Sequence, residues 1–288
     1  MSHAGFVAIL GRPNVGKSTL LNALLGEKLA ITSAKPQTTR NRISGVVNRG
    51  ACQLVFVDTP GIHDSARLLN VHLNRQALAA LEEVDCVLFL VEKGSRENPG
   101  DRLIADRLSC LSVPVMLVVN KCDVEGPDSD FSSLGAFYRR FDISAVNGRG
   151  LPELMESLAA LMPEGAHYYP DDEFTDRPER FIVEEFVREK VFALTGEEIP
   201  YSTAVTVDLW EEREGRDLIV IHATIHVERA SQKGIIIGKG GAMIKRIGRA
   251  AREDIEKLLD AKVFLDLHVG VEHNWTKDER MLKRFGIT

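Results

Sequence analysis

At 288 residues, 44% of them apolar and with a mean hydropathy of −0.08, the chain holds material for two buried cores, one mid-sized and one small, which excludes a disordered chain. Its longest apolar runs, Cys86–Val91 and Val113–Val119, stop far short of the roughly 20 residues a membrane-spanning helix needs. A net charge of −6 argues, as an average, against a nucleic-acid partner. The average conceals a steep local pattern: residues 171–228 carry a net −10, and residues 229–252 carry +7 without a single acid. Cysteines 52, 86, 110 and 122 have neither CxxC nor zinc-cluster spacing, and no charged-then-apolar leader opens the sequence. Reduced thiols in the cytoplasm are therefore expected.

In chain order, the first half alternates short apolar runs with helical stretches, the pattern of a mostly parallel sheet covered by helices. Strands are predicted at Phe6–Leu10, Ile43–Val47, Leu54–Val57, Val87–Val91, Val115–Val119 and Phe141–Ser144, with helices starting near Gly16, Val71, Gly100, Phe131 and Leu151. This defines an α/β domain over 1–165, followed by a proline-marked linker at 166–177. From 178 to 288 the pattern changes. A helix carrying Ile182, Phe186 and Val191 precedes alternating runs at Val205–Leu209 and Ile219–Val227, predicted to pair antiparallel. A short helix at Ser231–Ile236, a longer one with Ile244, Ile247, Ala251, Ile255 and Leu258 on one face, a strand at Val263–Val269 and a terminal helix at Lys277–Phe285 complete an α-β-β-α-α-β unit with a tail.

Gly11-Arg12-Pro13-Asn14-Val15-Gly16-Lys17-Ser18-Thr19 contains the GxxxxGK[ST] phosphate loop directly after a strand. Its backbone N–H groups can surround phosphate oxygens, Lys17 can reach the terminal phosphates, and the Ser18 hydroxyl can ligate Mg²⁺. Asp58-Thr59-Pro60-Gly61 follows the third strand, so Asp58 can hold the metal through water and the Gly61 amide can sense a γ-phosphate. Asn120-Lys121-Cys122-Asp123 follows the fifth strand, and its carboxylate can accept from the N1–H and 2-amino group of guanine. After the sixth, an amide of Ser144-Ala145 can meet the guanine carbonyl. Each motif alone is weak, but together they occupy, in order, the carboxyl ends of strands where open α/β sheets bind ligands.

On these motifs residues 5–161 resemble a translation-factor-related GTPase domain. By that resemblance the second Mg²⁺ ligand falls on Thr39, with Thr38 as the alternative, in Thr38-Thr39-Arg40. Asn14 resembles the asparagine of GTPases that place K⁺ beside the phosphates. The position after Gly61 is Ile62, which cannot orient the attacking water, so slow intrinsic turnover is expected, with Lys17, Asn14, Thr39 and Gly61 as the catalytic set.

A GxxG match means little in a chain with 23 glycines. Gly238-Lys239-Gly240-Gly241 gains weight because it lies between two helices of the α-β-β-α-α-β unit and inside the acid-free segment. Lys245, Arg249 and Arg252 follow at i, i+4 and i+7, a basic stripe on the helix, and Lys233 precedes the loop. The setting resembles a KH domain of bacterial topology, which implies RNA binding; a KH-like fold kept to recruit protein is the alternative. A GTPase domain followed by a KH-type domain resembles the Era family over nearly the whole chain. That resemblance implies a ribosome-assembly GTPase using GTP/GDP and Mg²⁺, bound to the 3′ region of 16S rRNA and the small ribosomal subunit, and cytoplasmic with a part at the inner membrane surface. A monomer that does not bind DNA is expected. A GTP-gated RNA chaperone with negligible turnover is the other reading left open.

Overall fold

The computed structural model describes residues 1–33, 35, 38–61, 68–79, 81–95, 99–127, 130–213 and 217–287. Two compact units emerge: unit 1 comprises Met1–Ala30 and Thr39–Asp176, and unit 2 comprises Ile31–Thr38 and Arg177–Thr288. No helix among the described residues is long and apolar enough to cross a membrane.

Unit 1 is a six-stranded sheet with the strands β1 His3–Gly11, β2 Ile43–Arg49, β3 Cys52–Asp58, β4 Cys86–Glu92, β5 Val115–Asn120 and β6 Arg139–Asp142, in the order β2-β3-β1-β4-β5-β6. Only β2 is antiparallel. β3 is buried at every position, as expected of a strand covered on both faces, where an alternating pattern would expose one side. Helices α1 Lys17–Leu25, α2 Leu68–Ala79 and α3 Pro99–Leu108 connect strands, and α4 Leu151–Ala159 follows β6. Parallel strands joined by helices all release their loops at one edge, and that edge gathers the phosphate and base motifs.

Two predicted elements differ. The helix expected near Phe131 is a single 3-10 turn at Ser132–Leu134, closed by Gly135 at φ 123°, because buried Phe131 and Leu134 leave only one turn between core anchors. The sixth strand covers 139–142 and stops before Ser144, whose N–H turns away to Arg149 O at 3.0 Å. Residues 166–176, expected to be linker, group with unit 1. Tyr168 and Tyr169 N–H donate to the buried Gln53 Oε1 at 2.7 and 3.0 Å, Val46 N–H donates to Phe174 O at 2.9 Å, and the Tyr168 ring lies 4.7 Å from Phe6.

Unit 2 contains α5 Glu179–Leu194, β7 Ala204–Arg213, β8 Leu218–Val227, α6 Ala230–Ile237, α7 Ala242–Leu259, β9 Lys262–Val271 and α8 Glu279–Arg284. β8 pairs antiparallel with β7 and parallel with β9, in the order β7-β8-β9. Ile247, Ala251 and Ile255 of α7 are buried at the predicted spacing. One interior residue of α7, Gly248, lowers helix stability by about 1 kcal/mol relative to alanine. The predicted terminal helix is divided: Trp275–Lys277 form a 3-10 turn, and Asp278 then caps α8 by accepting from Arg280 N–H and Met281 N–H. Thr32, Lys35 and Thr38 pack on α5. Glu189 accepts from Thr32 N–H at 3.0 Å, Lys35 donates to Phe192 O and Thr195 O at the carbonyl-rich end of the helix, and Arg188, paired with Glu185, donates to Thr38 O.

Glu184 accepts from Val207 N–H at 2.8 Å beside the bulge in β7. Burial pushes its carboxyl up to about 7, opposed by that hydrogen bond and reinforced by Glu185 and Asp208, with Arg180 acting the other way. With the folded value raised, the folded protein keeps a proton between pH 4.5 and about 7 that the unfolded chain releases, so stability falls as pH rises through that window. Glu184→Gln should flatten this dependence and stabilise unit 2 at pH 8 by about 1 kcal/mol, after allowance for partial exposure. Urea unfolding from pH 5 to 8, followed by the fluorescence of Trp210 and Trp275, both in unit 2, measures it.

Candidate functional site

The phosphate loop joins the last residue of β1 to the first of α1, and Gly16 caps α1 with no side-chain hydrogen bond, which leaves the first N–H groups of the helix for an anion. Gly16 has φ 101°, and a Cβ there would lie 2.3 Å from Asn120 Nδ2. Glycine is required on both counts. Lys17 is buried and bridges the loop, its Nζ donating to Gly11 O and Arg12 O at 3.1 Å each. Burial lowers its pKa to about 8, and attraction to Asp58 partly restores it.

The residues assigned to the metal converge. Ser18 Oγ donates to Asp58 Oδ2 at 2.7 Å, Thr39 Oγ1 lies 2.9 Å from Ser18 Oγ, and Thr39 Oγ1 donates to Asp58 Oδ2 at 3.2 Å. Thr38 does not share in this cluster; its hydroxyl donates to Lys35 O at 3.0 Å. Asp58 has no exposure, and burial raises its pKa against the pull of Lys17, Ser18, Thr39 and the Thr59 amide. Its Oδ1 is buried without a hydrogen-bond partner. Two hydroxyls and a half-satisfied carboxylate form a hard oxygen donor set that fits Mg²⁺ completed by phosphate and water. Thr59 Oγ1 donates to Ile9 O at 2.9 Å and pins the start of this loop to β1. Gly61 approaches Pro13 so closely that a Cβ would meet Pro13 N at 2.9 Å, which brings Pro60-Gly61 against the phosphate loop. Ile62 lies outside the described residues.

At the base end, Asn120 ties two loops together, Nδ2 donating to Val15 O at 2.9 Å and Oδ1 accepting from Ala145 N–H at 3.0 Å. Of the two Ser144-Ala145 amides, one of which is expected to meet the guanine carbonyl, that of Ala145 donates to Asn120 Oδ1 and that of Ser144 to Arg149 O. Asp123 is exposed, and the Ser144 hydroxyl, 2.6 Å from Oδ1, holds its carboxyl below the usual range and fixes its direction. Lys121, at φ 66°, pairs with Glu92 Oε1 at 2.9 Å.

Sequence reasoning missed Asp101, which has no exposure and accepts from Arg12 Nε at 2.7 Å, tethering the phosphate loop to α3. The signal was present: Asp101 shares the helical spacing of buried Ile104, Ala105 and Leu108, an acid on an apolar face.

In unit 2, Gly238 at φ 72° and Gly241 at φ 79° turn the chain from α6 into α7, and a Cβ on Gly238 would lie 2.7 Å from Met243 Cβ. Lys239 and Gly240 are exposed between them. Lys245, Arg249 and Arg252 line a groove of about 490 Å³ between α7 and β9, with Ile244, Leu265, Leu267 and the acid Asp266. Among the described residues none of the three makes an ion pair, whereas Lys190 on α5 is held by Glu189 and Asp254. Lys233 stands on α6, outside the groove lining.

The two folds and their sites define a phosphate-loop GTPase carrying a KH domain. The family model for 50S ribosome-binding GTPases matches residues 6–121, and the KH-domain model matches residues 198–276. GTPase Era of Geobacter metallireducens is 53% identical, covering 99% of this chain and 98% of its own, and that of Geotalea daltonii is 50% identical over 99% and 97%. Two crystal structures superpose with a TM-score of 0.93 at 37% identity: an Aquifex aeolicus Era variant bound to GDP and AlF₄⁻, covering 99% of both chains, and Era in complex with MgGDPNP and nucleotides 1506–1542 of 16S ribosomal RNA, covering 100% of both. The chain belongs to the GTPase Era family.

Gly16→Ala should displace Asn120 and strain the loop together, lowering GDP affinity about 30-fold, on the order of 2 kcal/mol. Titration with fluorescent GDP checks it.

Proposed function

We propose that this protein is a GTP-hydrolysing switch that binds the 3′ region of 16S rRNA and the small ribosomal subunit and acts in that subunit's assembly. The observation that carries this reading is the groove of unit 2 lined by Lys245, Arg249 and Arg252, which make no ion pair among the described residues, in the same chain as a converged GTPase site. The likeness to Era in complex with MgGDPNP and 16S rRNA nucleotides supports the choice of ligand. A cytoplasmic monomer with a part at the inner membrane surface accords with the family resemblance.

The phosphate-loop amides and Lys17 hold the phosphates in line for attack, Ser18, Thr39 and Asp58 hold the metal, and the Gly61 amide contacts the γ-phosphate. Mg²⁺, when bound, neutralises charge developing on the phosphate oxygens. Asp123, oriented by Ser144, accepts from guanine and discriminates against adenine. Asn14, at φ 67° in the loop, supports K⁺ beside the phosphates in place of an arginine. GTP hydrolysis at saturating Mg²⁺ should be faster in KCl than in NaCl by about tenfold or more, since a cation in the place of an arginine finger acts on the transition state; equal rates would refute the K⁺ assignment.

With about four basic groups on phosphate, log RNA affinity should fall with log salt at a slope of roughly −3. Because Thr39 directly follows a segment that packs on α5, RNA affinity should also differ between GDP and a non-hydrolysable GTP analogue. Filter binding across salt, in both nucleotide states, measures both; a flat salt response favours a protein-recruiting KH fold, and equal affinities remove the coupling.

A further inference from the structure

We propose that Asp101 is a positioning residue for GTP hydrolysis: through Arg12 it holds Arg12-Pro13 of the phosphate loop in place, and with them the direction of Lys17 and the surface on which Gly61 rests. The inference rests on the assignment of Lys17 and Gly61 to the phosphates made above. Asp101 has no exposure, and its Oδ1 accepts from Arg12 Nε at 2.7 Å. It shares a face of α3 with the buried Ile104, Ala105 and Leu108. A buried ion pair adds little to stability, and an apolar side chain of similar size would suit this face as well or better. The core alone therefore does not account for the acid.

What the pair does is fix Arg12. Its side chain is anchored on α3, while its carbonyl, with that of Gly11, accepts from Lys17 Nζ at 3.1 Å. An ammonium group has three donors. With two of them committed to these carbonyls, the direction left to the third depends on where the Arg12 carbonyl stands. Pro13 has a fixed φ and disfavours helical backbone at Arg12, so the two residues move as a unit and one anchor on the guanidinium holds both. Pro13 in turn meets Gly61, where a Cβ would lie 2.9 Å from Pro13 N and 3.0 Å from Pro13 Cγ. Lys17 and Gly61 both take their positions from Arg12-Pro13, and both are assigned to the γ-phosphate. GDP lacks that group and is held by the loop amides at the start of α1 and, through its base, by Asp123. A displaced Arg12 should therefore slow hydrolysis more than it weakens GDP binding.

The test uses the full chain with Mg²⁺ and measures single-turnover hydrolysis at saturating GTP beside affinity for fluorescent GDP, in Asp101→Ala, Asp101→Asn, Arg12→Met and the double variant Asp101→Ala/Arg12→Met. Asp101→Ala should hydrolyse GTP about tenfold more slowly or worse, since misplacement by about an ångström costs up to about a hundredfold, while GDP affinity changes less than about threefold. Asp101→Asn keeps an acceptor and loses the charge; it should fall between wild type and alanine, and it carries the test if alanine does not fold. Arg12→Met should match Asp101→Ala, and the double variant should be no slower than the slower single variant. Losses that multiply in the double variant overturn the proposal and assign Asp101 to α3 itself, where an acid in the first turn favours the helix. Wild-type hydrolysis in both Asp101 variants also overturns it, as does a loss of GDP affinity as large as the loss of rate. Lys17→Ala separates this proposal from the reading beneath it. If Lys17→Ala loses hydrolysis while the Asp101 variants keep it, only the Asp101 assignment falls; if Lys17→Ala hydrolyses GTP as wild type does, the reading of the phosphate site has failed.

Discussion

Asp58 places a carboxylate where no water reaches it, and much of unit 1 is arranged around that charge. A buried carboxylate is tolerated only with hydrogen bonds and a nearby cation, and Ser18, Thr39, the Thr59 amide and Lys17 supply them. These groups come from three separate stretches of chain. The phosphate loop brings Lys17 and Ser18, the stretch before β2 brings Thr39, and the end of β3 brings Asp58 itself. One oxygen of Asp58 is buried without a hydrogen-bond partner.

The chain leading to Thr39 is tied down elsewhere by a different kind of interaction. Thr32, Lys35 and Thr38 rest on α5 through Glu189, the carbonyl-rich end of the helix and the Arg188–Glu185 pair. Glu189 also holds Lys190, which in turn meets Asp254 on α7, the helix that carries the basic stripe. Lys190 is paired in this way, while Lys245, Arg249 and Arg252 on the α7 groove make no ion pair among the described residues. That division matches what each set is for: paired charges hold elements in register, and free ones remain available to phosphate.

Most of the fold was legible in the sequence because its periodicities are clean. The β3 run is apolar at nearly every position, β8 alternates over Ile221–Ile225, and α7 repeats its core residues at helical spacing. The failures share a cause. The stretch at Phe131 and the terminal helix are each a turn or two long, and there the placement of Phe131, Leu134 and Trp275 in the core outweighs local preference. Asp101 was overlooked because its role depends on Arg12, eighty-nine residues away.

By itself, the sequence determined the order of strands and helices, the phosphate loop, the guanine-reading motif and the glycine turn before the basic helix. Those are local matters of spacing and side-chain chemistry. Tertiary structure set the Thr39 hydroxyl against Asp58 and that of Thr38 against Lys35 O. It also committed the Ala145 amide to Asn120 and placed Gly248 beside Leu267 in an open groove. Such choices depend on which distant residue lies within about 3 Å, a distance that hydrogen bonds demand and that no spacing along a chain specifies.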